Sequence, residues 1–199
     1  MVGPADVERM FRDAGALREG HFVLASGRHS PGYLDKFQVL QHPGDTERLC
    51  AAIASWARPL RVDIVAGPTT GGVILAHEVA RQLGARAIYA ERSEAASGRE
   101  FRRGFAIESG ERVLVVDDII TTGGSLRETI AAVTSAGGTV VAAAVLVDRS
   151  GDSARLDVPL HALWHLQIPA YAPAECPLCA KGVPATHPGT SPARAGAAR

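Results

Sequence analysis

Apolar and polar positions along the chain fall into blocks whose period changes repeatedly. Val7, Met10 and Phe11 recur at helical spacing after Pro4, which predicts a helix over Ala5–Ala14. Phe22–Leu24 reads as a short strand broken by SGRHSPG, and Tyr33–Leu40 as a second strand. Pro43 and Asp45 open a helix that runs through Trp56. Val62–Ala66 is a buried-strand candidate followed at once by GPTTGG, and Val73–Leu83 is a helix ending at Gly84. Ala87–Tyr89 is a strand leading into a polar, charged loop over Arg92–Gly104. Four consecutive apolar residues, Val113–Val116, run into Asp117-Asp118, and LRETIAAVTSAGG continues as a helix. Thr139–Val147 is a strongly β-branched strand ending at Asp148-Arg149, and Leu160–Leu166 is the last strand.

Strands that alternate with helices predict an α/β fold with a central, mainly parallel sheet. Ligands of such sheets bind at the carboxyl ends of the strands. GPTTGG, Glu91-Arg92, Asp117-Asp118 and Asp148-Arg149 all follow apolar strands directly, so four strand ends send polar groups to one edge.

The richest stretch is VLVVDDIITTGGS, Val113–Ser125. A buried strand opens here onto a Thr/Gly loop at a helix N-terminus, where free N–H groups and the helix dipole favour an anion. Two carboxylates stand beside those donors, placed to hold sugar hydroxyls or to face Mg²⁺ through water. A phosphorylated sugar with vicinal hydroxyls fits that chemistry. A P-loop is excluded because no lysine follows the glycines, and a dinucleotide fingerprint because GxGxxG is absent.

Composition narrows the classes. The chain has 199 residues, 46% hydrophobic and 21% charged, with zero formal net charge. That suits one sizeable core and gives no polycationic surface for nucleic acid. No apolar run reaches membrane-spanning length, and MVGPADVERMF lacks a signal core, so a cytoplasmic setting is expected. Cys50, Cys176 and Cys179 make an odd set that does not suggest a disulfide framework. Cys176 and Cys179 form one CxxC, with Cys50 and His187 its only evident distant helpers. That is a weak zinc signal, and no metal ligand is assigned directly. His21, His29, His42, His77, His161 and His165 show no HExxH pattern and read as scattered core or surface residues.

VLVVDDIITTGGS resembles the phosphoribosyl pyrophosphate (PRPP) loop of the type I phosphoribosyltransferases. The similarity over residues 5–184 extends to the orotate-specific branch. It includes GHFVLASGRHSPGYLD, VLQHP, AGPTTGG, the AER…RRGF loop, VDRSG and ECPLCAKGVP. It implies a type I phosphoribosyltransferase fold over 1–184 with a small hood formed mainly by about residues 1–40, and a disordered tail over 185–199. It also implies transfer of ribose 5-phosphate from PRPP to orotate, with Mg²⁺ as cofactor.

The site residues implied are these. Asp117 and Asp118 hold the ribose hydroxyls and stabilise an oxocarbenium-like transition state. Ile119, Ile120, Thr121, Thr122, Gly123, Gly124 and Ser125 wrap the 5′-phosphate. Gly67, Pro68, Thr69, Thr70, Gly71 and Gly72 form the pyrophosphate loop. Thr121 and Arg149 contact orotate, whose carboxylate suits an arginine, and Tyr33 stacks on the base from the hood beside Ser26-Gly27-Arg28. The Arg92–Phe105 segment resembles the mobile catalytic loop, which in relatives reaches a neighbouring active site and so implies a homodimer. The usual loop lysines and histidine are missing from SEAASGREF, and a common hood lysine is Ala25 here. No catalytic lysine is therefore carried over, and Arg92 and Arg103 are assigned by charge and loop position. A phosphoribosyltransferase for another base, or a PRPP-sensing regulator without turnover, are the alternatives.

Overall fold

Residues 2–24, 26–94, 97–151 and 153–188 are described by the computed structural model. They fall into two compact units. The larger holds those within 1–15 and 36–167, and the smaller those within 16–35 and 168–188. The stretch expected as a hood therefore contributes to both.

In the larger unit the run Val113–Val116 lies in strand β6 (Arg112–Ile120), buried from Val113 through Asp118. Burial on both faces is what a near-continuous apolar strand requires. It sits in a six-stranded sheet ordered β5-β4-β3-β6-β7-β8. The other members are β3 (Ile64–Pro68), β4 (Arg86–Arg92), β5 (Arg99–Phe101), β7 (Thr139–Asp148) and β8 (Leu160–His165). All pairings are parallel except that of β4 with β5. One face packs Ile64, Ala66, Ile88, Val113, Val115 and Val145 against Leu126 and Val133 of helix α5 (Gly124–Ser135).

The remaining helices are α1 (Pro4–Asp13), α2 (Lys36–Leu40), α3 (Pro43–Ala57) and α4 (Gly71–Leu83). Helix α1 buries the expected Val7, Met10 and Phe11, with Phe11 packed 5.7 Å from Trp164 of β8. Helix α3 starts at Pro43, carries Asp45 in its first turn, and buries Leu49, Cys50, Ile53 and Ala54. No helix among the described residues is long and apolar enough to cross a membrane.

Two local expectations change. The strand expected over Tyr33–Leu40 ends at Leu34, and Lys36–Leu40 is helix α2. The apolar pattern there suits either period. The turn closes because Gln41 N–H donates to Phe37 O and His42 N–H to Val39 O, just before Pro43. The expected loop after β4 contains β5, which pairs Ala90, Glu91 and Arg92 with Phe101, Glu100 and Arg99.

The smaller unit is built on an antiparallel hairpin of β1 (Leu17–Val23) and β2 (His29–Leu34). C-terminal residues join it: Tyr171 pairs with His29, and Thr186 with Phe22. Cys176 begins a short helical turn, α6 (Pro177–Ala180). Of the tail expected to be disordered, residues 189–199 lie outside the described residues, whereas Thr186 N–H donates to His21 O at 2.8 Å.

Candidate active site

The sheet order reverses between β3 and β6, because the chain leaves β3 toward β4 on one side and continues from β6 to β7 on the other. A crevice at the carboxyl ends of two such strands is where open α/β sheets bind ligands. The segments at the carboxyl ends of those two strands are residues 67–72 and 117–125, both singled out from the sequence.

The two segments touch. Gly71 opens α4 so close to β6 that a Cβ placed on it would lie 1.7 Å from Asp118 Oδ2. A Cβ on Gly67 would lie 2.2 Å from Gly72 O. Only glycine permits either approach. The Thr69–Thr70 peptide is cis.

Asp117 and Asp118 are buried, at 7% and 3% exposure. Asp118 N–H donates to Asp117 Oδ1 at 2.8 Å. Burial, and then the negative charge of Asp118, pushes the Asp117 carboxyl up to about 7. Burial raises Asp118 as well, opposed by Lys36, whose Nζ lies 3.2 Å from Asp118 Oδ1. A pair of desolvated carboxylates in one crevice is short of positive charge.

This has a measurable consequence. Between its ordinary value of 3.8 and about 7, the folded Asp117 keeps a proton that the unfolded chain has released. Stability therefore falls as pH rises through that window and levels off above it. Asp117→Asn removes the effect. Its stability gain over wild type grows from pH 4 to 7 and plateaus at up to about 4 kcal/mol. Urea unfolding at pH 5 and pH 8 checks this, and an equal gain at both would contradict the assignment.

The remaining loop residues follow from β6 and α5. Gly123 is the N-cap of α5 with φ 78°, and no side chain caps the helix. The N-terminus of α5 borders a cavity of about 60 Å³ lined by Asp117, Ile119, Ile120, Thr121, Thr122, Gly123, Gly124 and Ser125. That is room for one phosphate group at a helix N-terminus, with the dipole in its favour. The neighbouring Arg127 packs against this loop, donating to Thr122 O at 2.6 Å and to Arg155 O at 3.3 Å.

Arg149 follows β7, half-buried, and its N–H donates to Ile120 O at 2.9 Å, which fixes it beside this loop. Asp148 accepts from Ser150 N and Oγ and lies 3.4 Å from His165 Nδ1.

The arginines expected to be catalytic flank the β4–β5 hairpin, Arg92 at the end of β4 and Arg103 two residues after β5. Arg92 is exposed. Arg103, with φ 59°, pairs with Glu91 at 3.0 Å. The arginine closest in is Arg99, which the sequence did not single out individually. Its side chain is 3% exposed, it pairs with Glu128 at 3.3 Å, and its Nη1 donates to Thr69 Oγ1 at 3.2 Å. It thereby braces the segment of residues 67–72, and its charge reaches Asp117. Tyr33 belongs to the smaller unit, where its ring lies 5.8 Å from that of Phe22.

Lys36 was also missed. A signal was present: only two of the 21 Lys and Arg residues are lysines, Lys36 and Lys181. Lysine is rare in this arginine-rich chain, and Lys36 brings a compact ammonium rather than a planar fork to the carboxylate.

With this geometry in view, three comparisons bear on the chain. Residues 38–160 match the family model for the phosphoribosyl transferase domain. An orotate phosphoribosyltransferase from Caldicellulosiruptor bescii is 49% identical over 182 residues, covering 92% of this chain and 95% of that protein. Another, from Caulobacter vibrioides, is 49% identical over 187 residues, covering 93% and 95%. The crystal structure of orotate phosphoribosyltransferase from Aeropyrum pernix superposes with a TM-score of 0.69 at 30% identity, covering 80% of this chain and 93% of that one. A crevice of paired aspartates and an uncapped helix at a switch point, joined to these likenesses, leads to one conclusion: the chain belongs to the phosphoribosyltransferase family, in its orotate phosphoribosyltransferase branch.

Proposed function

We propose that the chain transfers the ribose 5-phosphate of PRPP to N1 of orotate, releasing pyrophosphate and giving orotidine 5′-monophosphate. The observation that carries this reading is the contact of Gly71 with Asp118, which puts a glycine loop and a buried carboxylate pair on one crevice. The relatives' names supply the base.

In this reading the α5 N-terminus takes the 5′-phosphate. The N–H groups of residues 67–72 take the leaving pyrophosphate. The Asp117–Asp118 pair holds the ribose hydroxyls and faces the cationic sugar that forms as the C1–O bond breaks. Arg149 pairs with the orotate carboxylate, with Thr121 beside it. Arg92 and Arg103 close over the pyrophosphate once Arg103 exchanges Glu91 for it.

Mg²⁺ fits this donor set. Two desolvated carboxylates want a hard cation, and Mg²⁺ held by PRPP oxygens and water would face them and supply counter-charge for the leaving group. Catalysis by the chain's own residues is then mostly positioning and charge placement. The resemblance of Arg92–Phe105 to a loop exchanged between subunits supports a homodimer as part of the same proposal, and the composition supports a cytoplasmic setting.

The test is the loss of orotate ultraviolet absorbance with PRPP and Mg²⁺. Consumption should require both, and Arg149→Ala should raise the orotate KM at least about tenfold. No consumption, with PRPP binding still measurable by calorimetry, would move the assignment to another base or to a regulator.

A further inference from the structure

The smaller unit assembles a side-chain cluster that the reaction does not use. His21 on β1, His29 on β2, and Cys176 and Cys179 at α6 bring one potential ligand atom each within 4.8 Å of one another. His21 Nε2 lies 2.8 Å from His29 Nδ1, 3.5 Å from Cys176 Sγ and 3.7 Å from Cys179 Sγ. Cys179 Sγ lies 3.2 Å from His29 Nδ1. A tetrahedral zinc with bonds of about 2.0–2.1 Å to nitrogen and about 2.3 Å to sulfur has ligand–ligand edges of roughly 3.3–3.8 Å. The cluster is within a small adjustment of that figure.

We infer that His21, His29, Cys176 and Cys179 form a structural zinc site. Two nitrogens and two sulfurs are a donor set that zinc favours, and four protein ligands close it to substrate. The surrounding hydrogen bonds agree. His21 Nδ1 lies 2.7 Å from Val183 O, and a carbonyl can only accept, so Nδ1 carries the proton. Nε2 is left with its lone pair aimed into the cluster, the arrangement that orients histidine ligands.

Charge also balances. On binding, both thiols give their protons to solvent, and Zn²⁺ with two thiolates and two neutral imidazoles carries no net charge. His21 and Cys176 are almost fully buried, at 4% and 3% exposure, so neutrality matters there.

The ligands have a structural task. Among the described residues, the buried apolar ones of this unit are few: Ala16, Phe22, Leu34 and Cys176. A unit with so little core gains from a metal clip. The clip would tie the β1–β2 hairpin to chain about 150 residues further on.

The test uses untagged full-length protein from zinc-supplemented cells, dialysed and analysed by plasma mass spectrometry. About one zinc per chain is expected. Cys176→Ser and His29→Ala should each lower occupancy at least about tenfold, and Cys50→Ala should keep it. Cobalt exchanged into the wild type should show tetrahedral d–d bands and a sulfur-to-cobalt charge-transfer band that Cys179→Ser diminishes. Three results would each overturn the site. They are wild-type protein with less than about 0.1 zinc per chain, a Cys176–Cys179 disulfide in freshly isolated protein, and zinc retained in both Cys176→Ser and Cys179→Ser.

Discussion

Asp118→Asn lowers kcat by about 10²–10³-fold while the protein stays folded. The carboxylate is 3% exposed, and an amide of the same shape fills its place. What goes is the negative charge set against the positive charge that builds on the ribose, where low dielectric makes it count. Lys36 loses its partner 3.2 Å away and is left facing a neutral group. Thermal melting should show a Tm no lower than wild type, since a desolvated carboxylate has been neutralised. A folded variant that turns over within about twofold of wild type would remove Asp118 from the chemistry.

Gly71→Ala gives the second large effect, and it acts on the same atom from the other side. The added methyl would sit 1.7 Å from Asp118 Oδ2, so the carboxylate has to swing away. A displacement of about 1 Å at a reacting centre is worth about 10²-fold in rate. We expect a loss of that size in kcat/KM for PRPP, with circular dichroism unchanged. Gly67→Ala is a different case. Its methyl meets the Gly72 backbone carbonyl at 2.2 Å, which cannot rotate away, so the cost falls on stability as well. Gly44, in α3 with open space around it, is the control. There alanine should raise stability by about 0.5–1 kcal/mol and leave kinetics untouched. Normal kinetics in Gly71→Ala would mean that the carboxylate position is not critical.

The sheet was legible because parallel strands buried on both faces leave long apolar runs. Val113–Val116 and Thr139–Val147 read as buried strands bounded by turn signals, and their polar ends drew attention to Asp117, Asp118 and Arg149. Lys36 was hidden for a local reason. LDKFQVLQ carries apolar residues that satisfy a strand or a helix equally, and the helical turn is settled by backbone bonds closed just before Pro43. Read as a strand, the segment gave no hint that its lysine meets Asp118. Strand β5 was hidden because charged residues fill its short ladder, as on a sheet edge. Arg99 therefore passed as one loop arginine among several. The histidine–cysteine cluster was hidden for a non-local reason. Zinc spacing rules read ligands close in sequence, and here two come from a hairpin and two from a turn near the far end of the chain.

That separation bears on how the molecule is made. The β1–β2 hairpin leaves the ribosome early, but its pairing partners, Tyr171 and Thr186, are among the last described residues to emerge. An isolated two-stranded hairpin is marginal in water. The smaller unit thus waits, incomplete, while the whole parallel sheet is synthesised between its halves. A chain stopped after Gln167 would contain every residue of the sheet and of the aspartate pair, yet leave that hairpin as an open edge for another chain to join.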